Sequence, residues 1–193
     1  MENKSALRDL LAAGLAAFAL AGCAAEPPEQ RVAHHSAAAI AAVRLDPAAA
    51  AAALNSYRAA KGLPPVRLDP ALTGMADVQA KAMAAGNVLS HDVAGAFPAR
   101  LAASGIDTWK AGENLGGGYM SLAEAMTGWR ESSAHNANLL LAEGSRFGIA
   151  IAKNPDTQYG VWWAMEIAAE PARPAPNPEG AFMSLSGGAA QPR

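Results

Sequence analysis

Residues 147–168, FGIAIAKNPDTQYGVWWAMEIA, decide the fold class of this 193-residue chain. Large apolar side chains alternate with mostly small residues on both sides of the Asn-Pro-Asp turn signal at 154–156. A period of two places successive side chains on opposite faces of a strand. We therefore predict an antiparallel hairpin. Its adjacent tryptophans, Trp162 and Trp163, are expected to pack on opposite faces of a central sheet.

The region before the hairpin carries helix signals instead. Asp46 and Asp69 are each followed by proline. This places a capping carboxylate before a residue whose missing N–H is harmless at the first helical position. The first predicted helix stops at Gly62, and the second, which has apolar residues at helical spacing, ends near Gly86.

Two further helices are predicted between these and the hairpin. A short helix covers 98–104, and a longer one begins at Ser121, where Ser-Leu-Ala-Glu forms a capping box with Glu124. The apolar face of the longer helix leads to Trp129, which we expect to be buried. Helices first and strands later predict an α+β domain rather than a parallel doubly wound one.

The composition excludes two classes of protein. The formal net charge is −2 and no basic stripe occurs, so nucleic acid is not an expected partner. The single cysteine cannot form an internal disulfide, which excludes a disulfide-stapled fold. Much of the 51% hydrophobic content is alanine, so the few aromatic residues must supply a large share of the buried surface.

The N-terminal segment has the features of a bacterial lipoprotein signal. Lys4 and Arg8 precede an uncharged run of 12 residues at 10–21, shorter than the roughly 20 residues that a membrane-crossing helix needs. The run leads into Leu-Ala-Gly-Cys at 20–23, which resembles a lipobox, where the signal is cut before the cysteine and the thiol is lipidated. We predict a signal peptide at 1–22 and membrane attachment through lipidated Cys23.

The rest of the chain divides into a tether, a domain and a tail. Residues 23–45 are predicted to be a flexible tether, and 46–170 a single domain. Residues 171–193 contain five prolines and three glycines, and we expect this tail to be disordered. No aspartate follows Cys23 directly, so the exported lipoprotein is expected on the periplasmic side of the outer membrane in a Gram-negative organism.

Four short motifs occur in order within the predicted domain. They are Leu-Asn-Ser-Tyr-Arg at 54–58, Ser-His-Asp at 90–92, Gly-Glu-Asn-Leu at 112–115 and Trp-Arg-Glu-Ser-Ser-Ala-His-Asn-Ala-Asn-Leu-Leu at 129–140. In this order and at these intervals they resemble the CAP superfamily, also called SCP or PR-1-like domains, in its bacterial form. The resemblance implies an α-β-α sandwich with a small antiparallel sheet between helices. Its supporting residues include Asn114, Trp129, Ser132 and Asn138.

The resemblance also implies a cleft with two histidines and two acidic residues, in which some members bind zinc. By position, this carries over to His91 and Glu113, and the bacterial motif adds His135. The second acid of the family would fall at Ser132 in this chain. Glu131 is adjacent, but its side chain would point about 100° away on a helix. The four-residue set is therefore incomplete.

Two functions follow as hypotheses. One is a non-enzymatic envelope module whose cleft binds a small molecule, a lipid or a protein, with Glu113 in a buried hydrogen-bonded network that includes a histidine. The alternative is a zinc-dependent hydrolase using His91, Glu113 and His135. Two imidazoles and a carboxylate could hold Zn²⁺ with one open position, or act as general acid and base.

Overall fold

The computed structural model describes residues 35–171, which form six helices and four strands. The helices are α1 (Ala37–Ala42), α2 (Pro47–Ala59), α3 (Pro70–Gly86), α4 (Phe97–Ala103), α5 (Leu122–Glu131) and α6 (Ser133–Leu139). The strands are β1 (Arg67–Leu68), β2 (Ala111–Gly117), β3 (Gly144–Lys153) and β4 (Val161–Ala169). The predicted signal peptide, Cys23 and the tail after Pro171 lie outside the described residues. Within 35–171, no helix has the length and hydropathy that crossing a membrane requires.

The predicted helix starts are confirmed by their caps. The Asp46 carboxylate accepts a hydrogen bond from the N–H of Ala48 at 2.9 Å, and the Asp69 carboxylate accepts one from Ala71 at 2.8 Å. At the other end of α2, Gly62 has a φ of +73°, a conformation that glycine adopts without strain. These local interactions set the helix boundaries that the sequence signals predicted.

The sheet has the strand order β1-β3-β4-β2. β3 and β4 form the predicted antiparallel hairpin, and β2 pairs antiparallel with the other side of β4. The short β1 pairs parallel with β3, so the sheet is mixed rather than wholly antiparallel. A strand of two residues is too short to show the alternation that reveals strands in a sequence.

The central strand β4 separates two packed layers, as the α-β-α prediction requires. Trp163, Met165 and Ile167 join the core formed with α2, α5 and α6. Trp162 and Ala164 pack on the other face, against small residues of α3. α3 lies so close to the sheet that a Cβ at Gly148 would clash with the backbone of Leu72 and Thr73. The predicted burial of both tryptophans on opposite faces is confirmed.

The packed region begins before the predicted boundary at Asp46. Ile40 of α1 and the following Val43 are buried in the core. The Lys153 ammonium donates hydrogen bonds to the carbonyls of Ala41 and Val43 at 3.0 and 3.1 Å. Residues 37–43 therefore belong to the domain rather than to the predicted tether. Ile40 and Val43 are enough to pack this alanine-rich stretch against the core, although the stretch has no helical periodicity of large apolar residues.

Candidate functional site

The core of the site is a hydrogen bond between His91 and Glu113. Glu113 lies in the middle of the edge strand β2, and only 2% of its side chain is exposed. His91 lies in the loop between α3 and α4. The Nδ1 atom of His91 is 2.6 Å from Oε1 of Glu113. The His91 side chain remains 54% exposed. Glu113 therefore fixes the orientation of an imidazole that solvent, or a ligand, can reach.

Arg100 of α4 is a member of the site that sequence analysis missed. Its Nη2 donates to Oε2 of Glu113 at 2.7 Å and to the His91 carbonyl at 3.0 Å. Its Nε donates to the Gly95 carbonyl at 2.8 Å. This buried guanidinium thus holds both the carboxylate and the loop that carries His91. Arginines in short helices are mostly exposed, so nothing in the local sequence indicates this role.

A second carboxyl group lies beside the first. Glu166 of β4 is the direct cross-strand neighbour of Glu113, and its side chain is completely buried. Its Oε1 is 3.8 Å from Nη1 of Arg100. Burial raises the pKa of Glu166 to about 10, with a further contribution from the negative charge of Glu113. At neutral pH, Glu166 is therefore a neutral acid next to an ion pair.

Glu166 is an acid next to Glu113, but it does not lie at Ser132, where the family resemblance would place the second acid. Ser132 joins two helices: it follows the last residue of α5 and precedes the first residue of α6. Its N–H donates to the Gly128 carbonyl at 3.3 Å. The signal for Glu166 was present in the sequence, as a lone charged residue in an apolar strand. The alternation alone could not show that it faces Glu113.

The asparagines of the two motifs connect β2 to α6. Asn114 donates from Nδ2 to the His135 carbonyl at 3.0 Å. Asn138 donates from Nδ2 to the Glu113 carbonyl at 3.0 Å and to Oδ1 of Asn114 at 2.9 Å. A Cβ at Gly112 would clash with the Asn138 side chain, which explains glycine at the start of the Gly-Glu-Asn-Leu motif. These contacts bring α6 against the strand that carries Glu113.

His135 lies on α6, the helix that Asn114 and Asn138 hold against β2. Burial lowers the pKa of His135, and the charge of His91 lowers it further. His135 is therefore mostly neutral at neutral pH. Its ring is partly buried, and its backbone, rather than its side chain, connects it to Asn114.

Trp129 supports the site from the opposite layer. Its side chain is fully buried in α5, as predicted, and its Nε1 donates to the Leu115 carbonyl of β2 at 2.9 Å. This bond fixes β2 two residues after Glu113. Trp129 therefore contributes to the position of the carboxylate without contacting it.

The contacts of Glu113 bear directly on the predicted zinc site. Both oxygens of Glu113 are already engaged, one by His91 and one by a guanidinium whose positive charge opposes a cation at the same place. Among residues 35–171, no three His, Cys, Asp or Glu side chains are placed to hold a metal ion. Both Glu113 oxygens therefore have protein partners, and a zinc site formed by His91, Glu113 and His135 stays a prediction.

The fold and the sequence together define the class of the protein. The sequence model of CAP, described as the cysteine-rich secretory protein family, matches residues 51–167, and the chain belongs to this family. No curated protein sequence matches the chain significantly.

Several solved structures share the fold at low sequence identity. An extracellular protein containing an SCP domain from Bacillus anthracis has a TM-score of 0.57 and 23% identity, over 64% of this chain and 40% of that one. An outer surface protein of Borrelia burgdorferi has a TM-score of 0.57 and 17% identity, over 65% and 96%. A cysteine-rich secretory protein of Staphylococcus aureus has a TM-score of 0.52 and 15% identity, over 64% and 38%. The match thus spans about two fifths of the Bacillus and Staphylococcus chains.

Proposed function

We propose that this protein is an exported lipoprotein of the cell envelope whose CAP domain is a non-enzymatic binding module. The ligand, a small molecule, a lipid or a protein, would meet the exposed His91 ring and the partly buried His135. The buried residues beneath them position the rings and do not react.

The observation that carries this proposal is that the Glu113 side chain is buried and each of its carboxylate oxygens has a protein partner. A general base or a metal ligand needs a free carboxylate oxygen within reach of the reacting group. Here one oxygen contacts His91 at 2.6 Å and the other contacts Arg100 at 2.7 Å. Arg100 also holds the backbone of the His91 loop. Glu113 is therefore committed to a structural network.

The envelope location is supported by the N-terminal sequence and by the relatives. Leu-Ala-Gly-Cys at 20–23 resembles a lipobox. The structurally similar proteins include an extracellular protein of Bacillus anthracis and an outer surface protein of Borrelia burgdorferi. An exported, lipid-anchored protein is consistent with both features.

Calorimetric titration of the full chain with Zn²⁺ tests the binding-module proposal against the zinc-hydrolase alternative. We expect no stoichiometric, sub-micromolar binding that depends on His91. His35→Ala is the matched control, because His35 is an exposed histidine near the N-terminal end of the domain. Tight binding that is lost in His91→Ala and retained in His35→Ala would overturn the proposal in favour of the hydrolase.

Mass spectrometry of the mature N-terminus tests the lipid anchor. We expect cleavage before Cys23 and a diacylglyceryl group on its thiol. Cys23→Ser removes the only thiol of the chain, and this variant should remain unprocessed or be recovered without lipid. A mature wild-type chain with an unmodified Cys23 would contradict the anchor while leaving the cleft proposal intact.

A further inference from the structure

An apolar groove of about 350 Å³ lies between α3 and α4, on the outer side of α3. Most of its lining consists of small or apolar side chains, namely Ala71, Gly74, Met75, Val78, Ala94 and Ala103. We call this surface the α3–α4 groove. Val78 at its rim is 56% exposed, so part of its apolar side chain faces solvent. The groove has the size of a site for a few apolar side chains.

The C-terminal segment beyond the described residues contains one apolar cluster. Residues 172–193 are rich in proline, glycine and alanine, and their only large apolar residues are Phe182, Met183 and Leu185. Three such residues within four positions form a short apolar cluster, which we call the tail cluster, in a segment made mostly of small residues and proline.

The tail cluster can reach the groove from the point where β4 ends. The Ala169 carbonyl accepts a hydrogen bond from Oγ1 of Thr108 at 3.0 Å, so the end of β4 lies beside Thr108. Ser104, which also lines the groove, is only four residues before Thr108. The connection from Pro171 to Phe182 can span up to about 36 Å when extended.

We propose that residues 182–185 dock into the α3–α4 groove of the same chain and cover it. Because the segment is tethered, its effective concentration at the groove is of the order of millimolar, so even a weak contact is populated. This surface is separate from the His91 ring, although Arg100 lines the groove and also binds Glu113. The inference therefore goes beyond the proposed function and does not depend on it.

Gly74 provides a way to block the groove without disturbing the fold. An added Cβ at Gly74 would have no heavy atom within 4 Å, and leucine favours helix more than glycine does. Gly74→Leu should therefore fill the groove and keep α3 intact. This variant therefore tests the loss of docking in a chain that still folds.

Hydrogen–deuterium exchange of the full-length chain tests the docking, with Cys23→Ser in all samples to exclude a contribution from lipid. We expect amides of α4 to exchange about tenfold faster in three variants: truncation after Pro171, Phe182→Ser/Leu185→Ser, and Gly74→Leu. The matched control Ala181→Ser/Ala189→Ser should exchange like the parent chain. A synthetic peptide of residues 176–190 should restore slow exchange to the truncated chain and not to the truncated Gly74→Leu chain.

Three results would overturn the proposal. Equal α4 exchange in the parent, truncated and substituted chains would show that the tail does not cover the groove. Protection that survives truncation and rises with protein concentration would identify a second copy as the occupant. Protection of the truncated chain only in the presence of phosphatidylethanolamine–phosphatidylglycerol vesicles would identify a membrane surface instead.

Discussion

The two faces of β4 are buried to the same degree but are stabilised differently. One face presents Trp163, Met165 and Ile167 to α2, α5 and α6. The other presents Trp162 and Ala164 to α3, followed by Glu166 beside the Arg100–Glu113 pair. The stability of the first face depends on the volume and shape of its apolar side chains, which do not change with pH. The second also depends on the protonation of a buried carboxyl group.

The α2 side of the sheet buries an arginine too, but its partners differ from those of Arg100. Arg58 donates only to backbone carbonyls, those of Pro64, Leu139, Leu141 and Gly144. Carbonyl groups do not titrate, and arginine stays charged in proteins. Arg58 therefore connects α2 to the segment before β3 without making that side sensitive to pH. The comparison locates the pH dependence that comes from a buried carboxyl group on the α3 side.

The largest effect is expected on the apolar side. Trp129→Ala removes a fully buried side chain and its hydrogen bond to Leu115, and it should lower the free energy of unfolding by about 3–5 kcal/mol. Trp109→Ala is the matched control, because Trp109 is 59% exposed and its removal should cost less than about 0.5 kcal/mol. Chemical denaturation measures both. Equal stability of the two variants would contradict the packing described here.

An intermediate effect is expected from Glu113. Glu113→Ala should lower the free energy of unfolding by about 1–3 kcal/mol, because His91 and Arg100 lose their partner. Glu113→Gln keeps the shape and should preserve much of the fold while altering the pH dependence of stability.

Denaturation curves of the two Glu113 variants across a pH series provide the measurement. If both variants kept the stability of the parent chain and lost an enzymatic activity instead, the carboxylate would be catalytic. That result would contradict the structural role assigned to the network.

A smaller, pH-dependent effect is expected from Glu166. Its pKa of about 10 in the folded chain lies above the ordinary value of 4.5. Between these values the unfolded chain releases a proton that the folded chain retains, so the stability from this group falls as pH rises. Glu166→Gln removes the titration and keeps the shape. The variant should gain stability relative to the parent as the pH rises from about 6 to about 9. A stability difference independent of pH in thermal melts would show that Glu166 is already ionised.

The smallest effect concerns His135. Burial, followed by the charge of His91, lowers the pKa of His135 from its ordinary value of 6.5. The unfolded chain therefore binds this proton more readily, and stability from His135 is lost as pH falls below about 6.5. In an NMR titration, His91→Gln should move the His135 midpoint upward. His35→Gln is the control and should leave it unchanged. An unchanged midpoint in His91→Gln would place the two rings too far apart to interact.

The sequence predicted the helices and the hairpin well because their signals are local. The aspartate–proline caps and the capping box each act within one helical turn, and the alternation in 147–168 acts within one hairpin. The site could be predicted only in part. The CAP resemblance named His91 and Glu113, but it placed the second acid at Ser132, where the chain has a helix junction.

The sequence by itself thus determined the α+β class, the burial of Trp129, Trp162 and Trp163, and the family to which the motifs belong. Only the tertiary structure decided that Arg100, from α4, and Glu166, from β4, complete the network around Glu113. These residues are 13 and 53 positions away from Glu113 in the chain. Strand pairing sets Glu166 opposite Glu113, and the packing of α4 over the sheet brings in Arg100. Both are long-range contacts, and no local pattern encodes them.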